Sequence, residues 1–174
     1  MILIKSIRSL TRNDRTDSIL IPVYGTKDRK YNQVISQTLI EVRDLAKALQ
    51  YRLNLNHGYV VLSNHKGPLH RHLFNTPKGF QTDHINRIPL DNRCSNLRVA
   101  TSSQNGMNQG IRSDNTSGYK GVSWNKWHYK WEVRIKLNGK KIYLGYYTDI
   151  HDAARVYNKA SLKYHGKFGQ VNVI

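Results

Sequence analysis

Acidic residues are scarce in this chain: 11 Asp and Glu stand against 28 Lys and Arg, a formal charge of +17 over 174 residues. An excess that large opposes compaction, exceeds what solubility needs and favours a polyanion as partner, with nucleic acid first. Cysteine is nearly absent. The single Cys94 excludes a disulfide framework and a cysteine-built zinc cluster, whereas eight histidines leave a histidine-ligated metal open. Long hydrophobic runs are also missing. "SILIPV" falls far short of the roughly 20 apolar residues that span a bilayer. "MILIKSIRSL" has too few consecutive apolar residues for a secretory leader. An intracellular protein in a reducing compartment, without a membrane partner, is the expectation. With 39% hydrophobic residues, the chain can build a packed core of modest size.

Three regions follow from pattern. In the first, Ser18 to Gly25 ("SILIPVYG") reads as a strand that ends in a turn. Leu39, Val42, Leu45, Ala46 and Leu49 recur at helical spacing, which predicts a helix over Ser36 to Leu53. "HGYVVLSN" is a further strand candidate. In the middle region, "FQTDHI" and "NLRVAT" are short strands separated by the turn-rich "NRIPLDNRCS". Thr101 or Ser102 can cap a short helix carrying Gln104, Asn105 and Met107, giving a ββα unit. Residues 108–117 have the composition of a linker. Beyond it, "YKGVSWN", "KWEVRIKLN" and "KKIYLGYY" are three strands, with "NGK" as a tight turn. Trp131, Val133, Ile135 and Leu137 alternate with Lys130, Glu132, Arg134 and Lys136, so one face is apolar and the other mainly basic. Thr148 or Asp149 can cap a helix whose small and aromatic stripe lies on the apolar face.

The middle region holds residue types suited to phosphodiester hydrolysis, which needs an activated water and a cation to take up charge. Histidine titrates near neutral pH, so His84 suits the role of base. A carboxylate and an amide oxygen suit a hard divalent cation, and Asp83 and Asn105 can supply them. Strand alternation turns neighbouring Asp83 and His84 to opposite faces unless a bulge or strand end intervenes. Asn96 can fix the histidine ring or brace the turn. His70 and His72, two apart on a helix, face different ways and do not share a metal. His70 is expected to pack, and Arg71 to meet phosphate. Cys94, His57, His65, His128, His151 and His165 are expected bystanders.

"DHIN", "LDNR", "SNLR" and "QN", with "LHRH" upstream, stand in the order and at about the spacing of the HNH endonucleases. The stretch resembles the phage homing type with an H-N-N signature over roughly residues 55–110. The resemblance implies that Asp83 and Asn105 bind the divalent metal, that His84 is the general base and that Asn96 holds the site together. It implies Mg2+ first and Mn2+ second. Asparagine as the third signature residue argues against the zinc-favouring versions.

The last region is similar to the plant ethylene-response-factor (APETALA-type) DNA-binding domain. "GYKGVSWN", "KWEVRI", "YLGYYTDIHDAARVYNKAS" and "KFGQVN" follow its successive elements, although Ser123 and Asn125 stand where arginines are usual. A three-stranded sheet can enter the major groove and contact phosphates and base edges. The candidates are Lys120, Asn125, Lys130, Arg134, Lys136, Lys141 and Tyr143. A solvated sheet face is the alternative.

The sequence therefore predicts an α+β chain. Residues 1–54 form an α/β support, 55–107 an HNH unit of ββα-metal type, 108–117 a linker, and 118–174 a DNA reader of three antiparallel strands and one helix. The expected function is a site-specific, metal-dependent endonuclease of the homing kind. It would act as a monomer on double-stranded DNA, in the cytoplasm or nucleoid of a bacterial or phage-infected cell, and nick one strand. A DNA-binding regulator with an inert nuclease unit is the rival. An RNA-binding protein ranks third, because a basic sheet with few exposed aromatics suits a duplex better than stacked single strands.

Overall fold

The computed structural model describes residues 17–25, 33–64 and 66–174. The opening "MILIKSIRSL" and His65 lie outside them. Two compact units are distinguished, residues 1–99 and 100–174.

In the first unit, strand β1 (Ser18–Tyr24) pairs antiparallel with β2 (Val34–Glu41). A 3-10 turn at Val42–Asp44 and one turn of helix α1 (Leu45–Ala48) follow. Strands β3 (Leu53–Asn56), β4 (Tyr59–Leu62) and β5 (Gly67–Pro68) complete a five-stranded sheet in the order β2-β1-β3-β4-β5. Helix α2 (Leu69–Phe74) comes next. Its Leu69 and Leu73 join Ile21, Val23, Ile40, Ala48, Leu53, Val60 and Leu62 in the core. The sheet runs through the expected divide at residue 54.

The helix expected over Ser36 to Leu53 is a strand for its first third. The residues chosen for helical spacing include Val42, which is exposed, while the buried positions Thr38 and Ile40 are two apart. Val34, Ile35, Thr38 and Ile40 are β-branched and favour the pleated surface that β1 offers for pairing. Alternation prevailed over a coincidental period. The outer edge of β2 is closed by the segment 89–92. The Leu39 amide donates to the Leu90 carbonyl at 2.9 Å, and the Asn92 amide donates to the Leu39 carbonyl at 2.8 Å.

Two short strands, β6 (Gln81–His84) and β7 (Leu97–Ala100), pair as expected. Thr101 then caps helix α3 (Ser102–Asn108) in a capping box: its hydroxyl accepts from the Gln104 amide, and the Gln104 side chain accepts from the Thr101 amide. The strand–strand–helix order is the predicted one, with α3 counted in the second unit.

The second unit contains β8 (Val122–Asn125), β9 (Lys130–Leu137) and β10 (Lys140–Tyr147) in the order β10-β9-β8, all antiparallel. Helix α4 (Ile150–His165) is capped by the Asp149 carboxylate, which accepts from the Asp152 amide at 2.8 Å. Val122, Val133 and Ile135 pack against Ala153, Tyr157 and Ala160. Small alanines let the helix approach the sheet closely. Gly121 is part of that fit: at φ +76° it sits so close to the Tyr157 ring that a Cβ would collide with it. The expected linker is tied into this unit. The Ser117 hydroxyl donates to the Val122 carbonyl at 2.8 Å, and the Asn115 side chain donates to the Tyr119 carbonyl at 3.0 Å. No described helix is long and apolar enough to cross a membrane.

Candidate active site

His84 ends β6 and is buried. Its Nε2 lies 3.2 Å from Asn92 Oδ1. The Asn92 amide has its orientation fixed from behind. Its Nδ2 donates to Thr38 Oγ1 at 2.7 Å and to the Pro89 carbonyl at 3.2 Å, and Thr38 in turn donates to the Leu90 carbonyl at 2.8 Å. With both amide protons committed, Asn92 presents only an acceptor to the ring. The neutral imidazole must then carry its proton on Nε2, which puts the lone pair on Nδ1. Asn92 is 0% exposed, and the sequence reading assigned it no role. The available signal was its place in "LDNR", a polar residue in a segment otherwise read as a turn.

Burial lowers the His84 pKa below its usual 6.5, and the Asn92 bond and the Asp83 charge offset this only in part. The His70 ring meets the His84 ring edge-on at 4.9 Å, and Tyr59 flanks both. Burial, with His84 beside it, pushes His70 down to about 4, so at neutral pH it is an uncharged neighbour. His72 turns the other way, edge-on to Tyr51 at 5.2 Å. Arg71 is exposed on α2.

Asp83 is buried and has a different partner from His84, as strand alternation requires: Arg98 Nε donates to its Oδ2 at 2.7 Å. Asn96 braces the loop between the strands. Its Oδ1 accepts from the Asn86 amide at 3.1 Å, while its Nδ2 donates to Asn86 Oδ1 and to the Asp91 carbonyl, both at 2.9 Å. Asp91 is itself clamped by Arg93 at 2.6 Å and by Asn86 at 2.7 Å. These contacts brace the turn between the strands. Asn105 stands on α3, where its amide donates to the Thr101 carbonyl.

A carboxylate oxygen from Asp83 and an amide oxygen from Asn105 are hard donors of the kind Mg2+ takes. A second group, Glu41, Asp44 and Cys94, brings its ligand atoms within 4.8 Å. There the Cys94 thiol donates to Asp44 and is pushed up to about 11 by burial and that carboxylate, while Glu41 is engaged by Arg43 and the Ser95 amide. A protonated thiol is a poor metal ligand.

In the second unit, pairing puts Lys136 opposite Lys141 and Arg134 opposite Tyr143, and opposed residues share a face. Lys130, Arg134, Lys136, Lys141 and Tyr143 are all exposed there. Glu132 lies on the same face but is buried, paired with Arg134 at 2.5 Å. Lys120 is directed elsewhere, to the carbonyls of Met107 and Gln109. Asn125 is on the face, yet its side chain bonds the turn and Glu132.

Residues 60–107 match the family model of the HNH endonucleases. That stretch of the chain is similar to an HNH endonuclease domain. Its relatives include protein 3.8 of Escherichia phage T7, 40% identical over 65 residues, which are 37% of this chain and 54% of that protein. An uncharacterized HNH endonuclease of Acanthamoeba polyphaga mimivirus is 30% identical over 115 residues, covering 63% of this chain and 59% of the relative. An AP2-like ethylene-responsive transcription factor of Arabidopsis thaliana is 36% identical over 59 residues, 34% of this chain and only 12% of the plant protein. The chain thus spans little more than half of the two viral relatives and a small part of the plant one. The HNH match covers His84, Asp83, Asn92, Asn96 and Asn105 together.

Proposed function

We propose that the protein is a site-specific, metal-dependent DNA endonuclease of the homing kind that hydrolyses one phosphodiester bond and leaves a nick. The observation that carries this reading is the buried His84 held through Nε2 by Asn92 within the HNH match. In this reading Nδ1 of the neutral ring takes the proton of the attacking water. Asn92 accepts from the opposite nitrogen and steadies the ring as it gains charge. Asp83 and Asn105 would hold a divalent cation, Mg2+ or Mn2+, which would supply charge stabilisation to the phosphate and its leaving oxygen. Asn96 keeps the loop between His84 and Asn92 in register. The exposed cations of β9 and β10, with Arg71, contact the backbone of duplex DNA. Lys120 and Asn125, whose side chains are spent within the unit, contribute by shaping it. The tether between nuclease and reader raises the local concentration of one at the site of the other.

A second reading, a DNA-binding regulator with an inert nuclease unit, draws on Arg98, which occupies the Asp83 carboxylate that would hold the metal. Incubating the protein with supercoiled plasmid and with genomic DNA, with Mg2+ or with EDTA, separates the two. Nicked circles in Mg2+ alone support the nuclease; binding without cutting in Mg2+ and in Mn2+ supports the regulator.

A further inference from the structure

The hairpin between β8 and β9 runs "NKWHYK", from Asn125 to Lys130. Asn125 fixes it: Oδ1 accepts from the amides of Trp127 at 3.0 Å and His128 at 3.1 Å, and Nδ2 donates to Glu132 and to the Tyr146 hydroxyl. The His128 ring lies against Tyr146 at 4.3 Å, and Tyr129 takes the left-handed conformation at φ +50°. The loop is thus well tied down. Even so, Trp127 is 90% exposed and Tyr129 78%. A single exposed aromatic is ordinary on a protein surface. Here two project from one fixed turn, and Lys126 and Lys130, both exposed, flank them.

Cations beside unpacked rings match a ligand that offers negative charge and π-faces together. Nucleic acid does so, but inside a duplex the base faces are covered by their neighbours. A ring reaches one only where stacking is broken, at an unpaired stretch or a kinked step. Few exposed aromatics were expected on this sheet, and the tip departs from that expectation.

We propose that the Trp127–Tyr129 tip is a base-stacking element that takes an unstacked base of a DNA strand, with Lys126 and Lys130 on the adjoining phosphates. The proposal rests on the DNA reading above and adds to it a preference for opened over fully paired DNA. Neighbouring residues serve the rings: Asn125 presets the turn, so little ordering cost remains on binding.

The test uses the full chain, a short duplex, and the same duplex with a central unpaired bubble, both in EDTA at low salt. Wild type should bind the bubble more tightly and lose tryptophan emission on doing so. Trp127→Ala should weaken bubble binding by about 10-fold or more, in line with one stacked base, and change duplex binding little. Trp127→Phe should restore bubble binding, and Trp127→Leu, apolar without a π-face, should not. Equal wild-type affinity for both DNAs would overturn the proposal while leaving duplex recognition standing. So would an equal loss in Trp127→Ala on both, or full rescue by Leu. Unchanged binding in Trp127→Ala would overturn it too. Absence of binding to either DNA by wild type would overturn the proposal together with the DNA reading.

Discussion

His84 Nε2 stands 3.2 Å from Asn92 Oδ1, and Asn92 is held in turn by Thr38 of β2, a residue 54 positions away in the chain. The edge strand of the N-terminal sheet therefore determines which nitrogen of the histidine carries the proton. Removing Asn92 should act through the ring. Asn92→Leu is expected to lower cleavage by about 10–100-fold, as loss of a partner behind a reacting histidine does, with DNA affinity unchanged. Asn92→Asp, which still accepts from Nε2, should keep more activity than Leu. Nitrogen NMR of the His84 ring above pH 7 should report one tautomer in wild type and a mixture in Asn92→Leu. A single unchanged tautomer in the variant would remove Asn92 from this role.

His84→Ala should abolish most cutting, by about 10² to 10⁴-fold, and leave binding near wild type. A histidine that acts as the proposed base works uncharged, so activity should rise with pH through the His84 pKa. Burial has lowered that pKa, so the acidic limb should lie below 6.5. A rate profile in Mg2+ with single-turnover kinetics checks both points. An acidic limb centred at or above 7 would contradict the buried setting of the ring.

Much of the local structure around the candidate site was legible in the sequence, because its elements lie close together along the chain. The strands around Asp83 and Asn96, the Thr101 cap and the alternation of β9 all follow from local pattern. Asn92 did not, since its meaning depends on Thr38, and that pairing arises only when β2 is a strand. The same misread period hid both. Asn125 shows a related limit of pattern: an asparagine on an exposed face can read a base or hold a turn, and only the fold shows its Oδ1 accepting from the amides of Trp127 and His128. Glu132 alternates correctly with its basic neighbours but is covered by Arg134 and Asn125, which no spacing reveals.

His70 makes a stability prediction. Its folded pKa of about 4 lies under the unfolded 6.5, so between these values the unfolded chain binds more protons. Stability is then fully present above 6.5 and is lost as pH falls toward 4. At about 1.4 kcal/mol per pH unit, the loss attributable to this group is at most on the order of 3 kcal/mol. Urea midpoints measured across that window should fall with acid in wild type and fall less in His70→Asn. Parallel curves would show that other groups govern the acid transition.

Gly121 should tolerate no side chain. An alanine there would meet the Tyr157 ring and come within 2.8 Å of the Arg134 carbonyl oxygen, on a backbone at φ +76° that L-residues rarely adopt. Gly121→Ala should destabilise the second unit by roughly 2 kcal/mol or more, combining overpacking with backbone strain. Gly139→Ala, also at positive φ but with open space around its Cβ, carries only the strain and should cost less. Thermal melts of the two variants should rank them in that order.

The chain holds one Asp-His pair with downstream asparagines, and so one candidate site per molecule. Cutting both strands at one position needs two sites of opposite polarity, from a second copy or from one site that turns to the other strand. A sheet that reads DNA as a monomer meets an asymmetric sequence rather than a palindrome. The expected outcome is a nick in one strand, with double-strand cleavage slow or absent. If one copy acts alone, raising protein concentration should speed the first cut without promoting the second. Denaturing gels with each strand labelled separately report the two rates. Equal rates on both strands, or a second cut that grows with the square of protein concentration, would establish a paired enzyme instead.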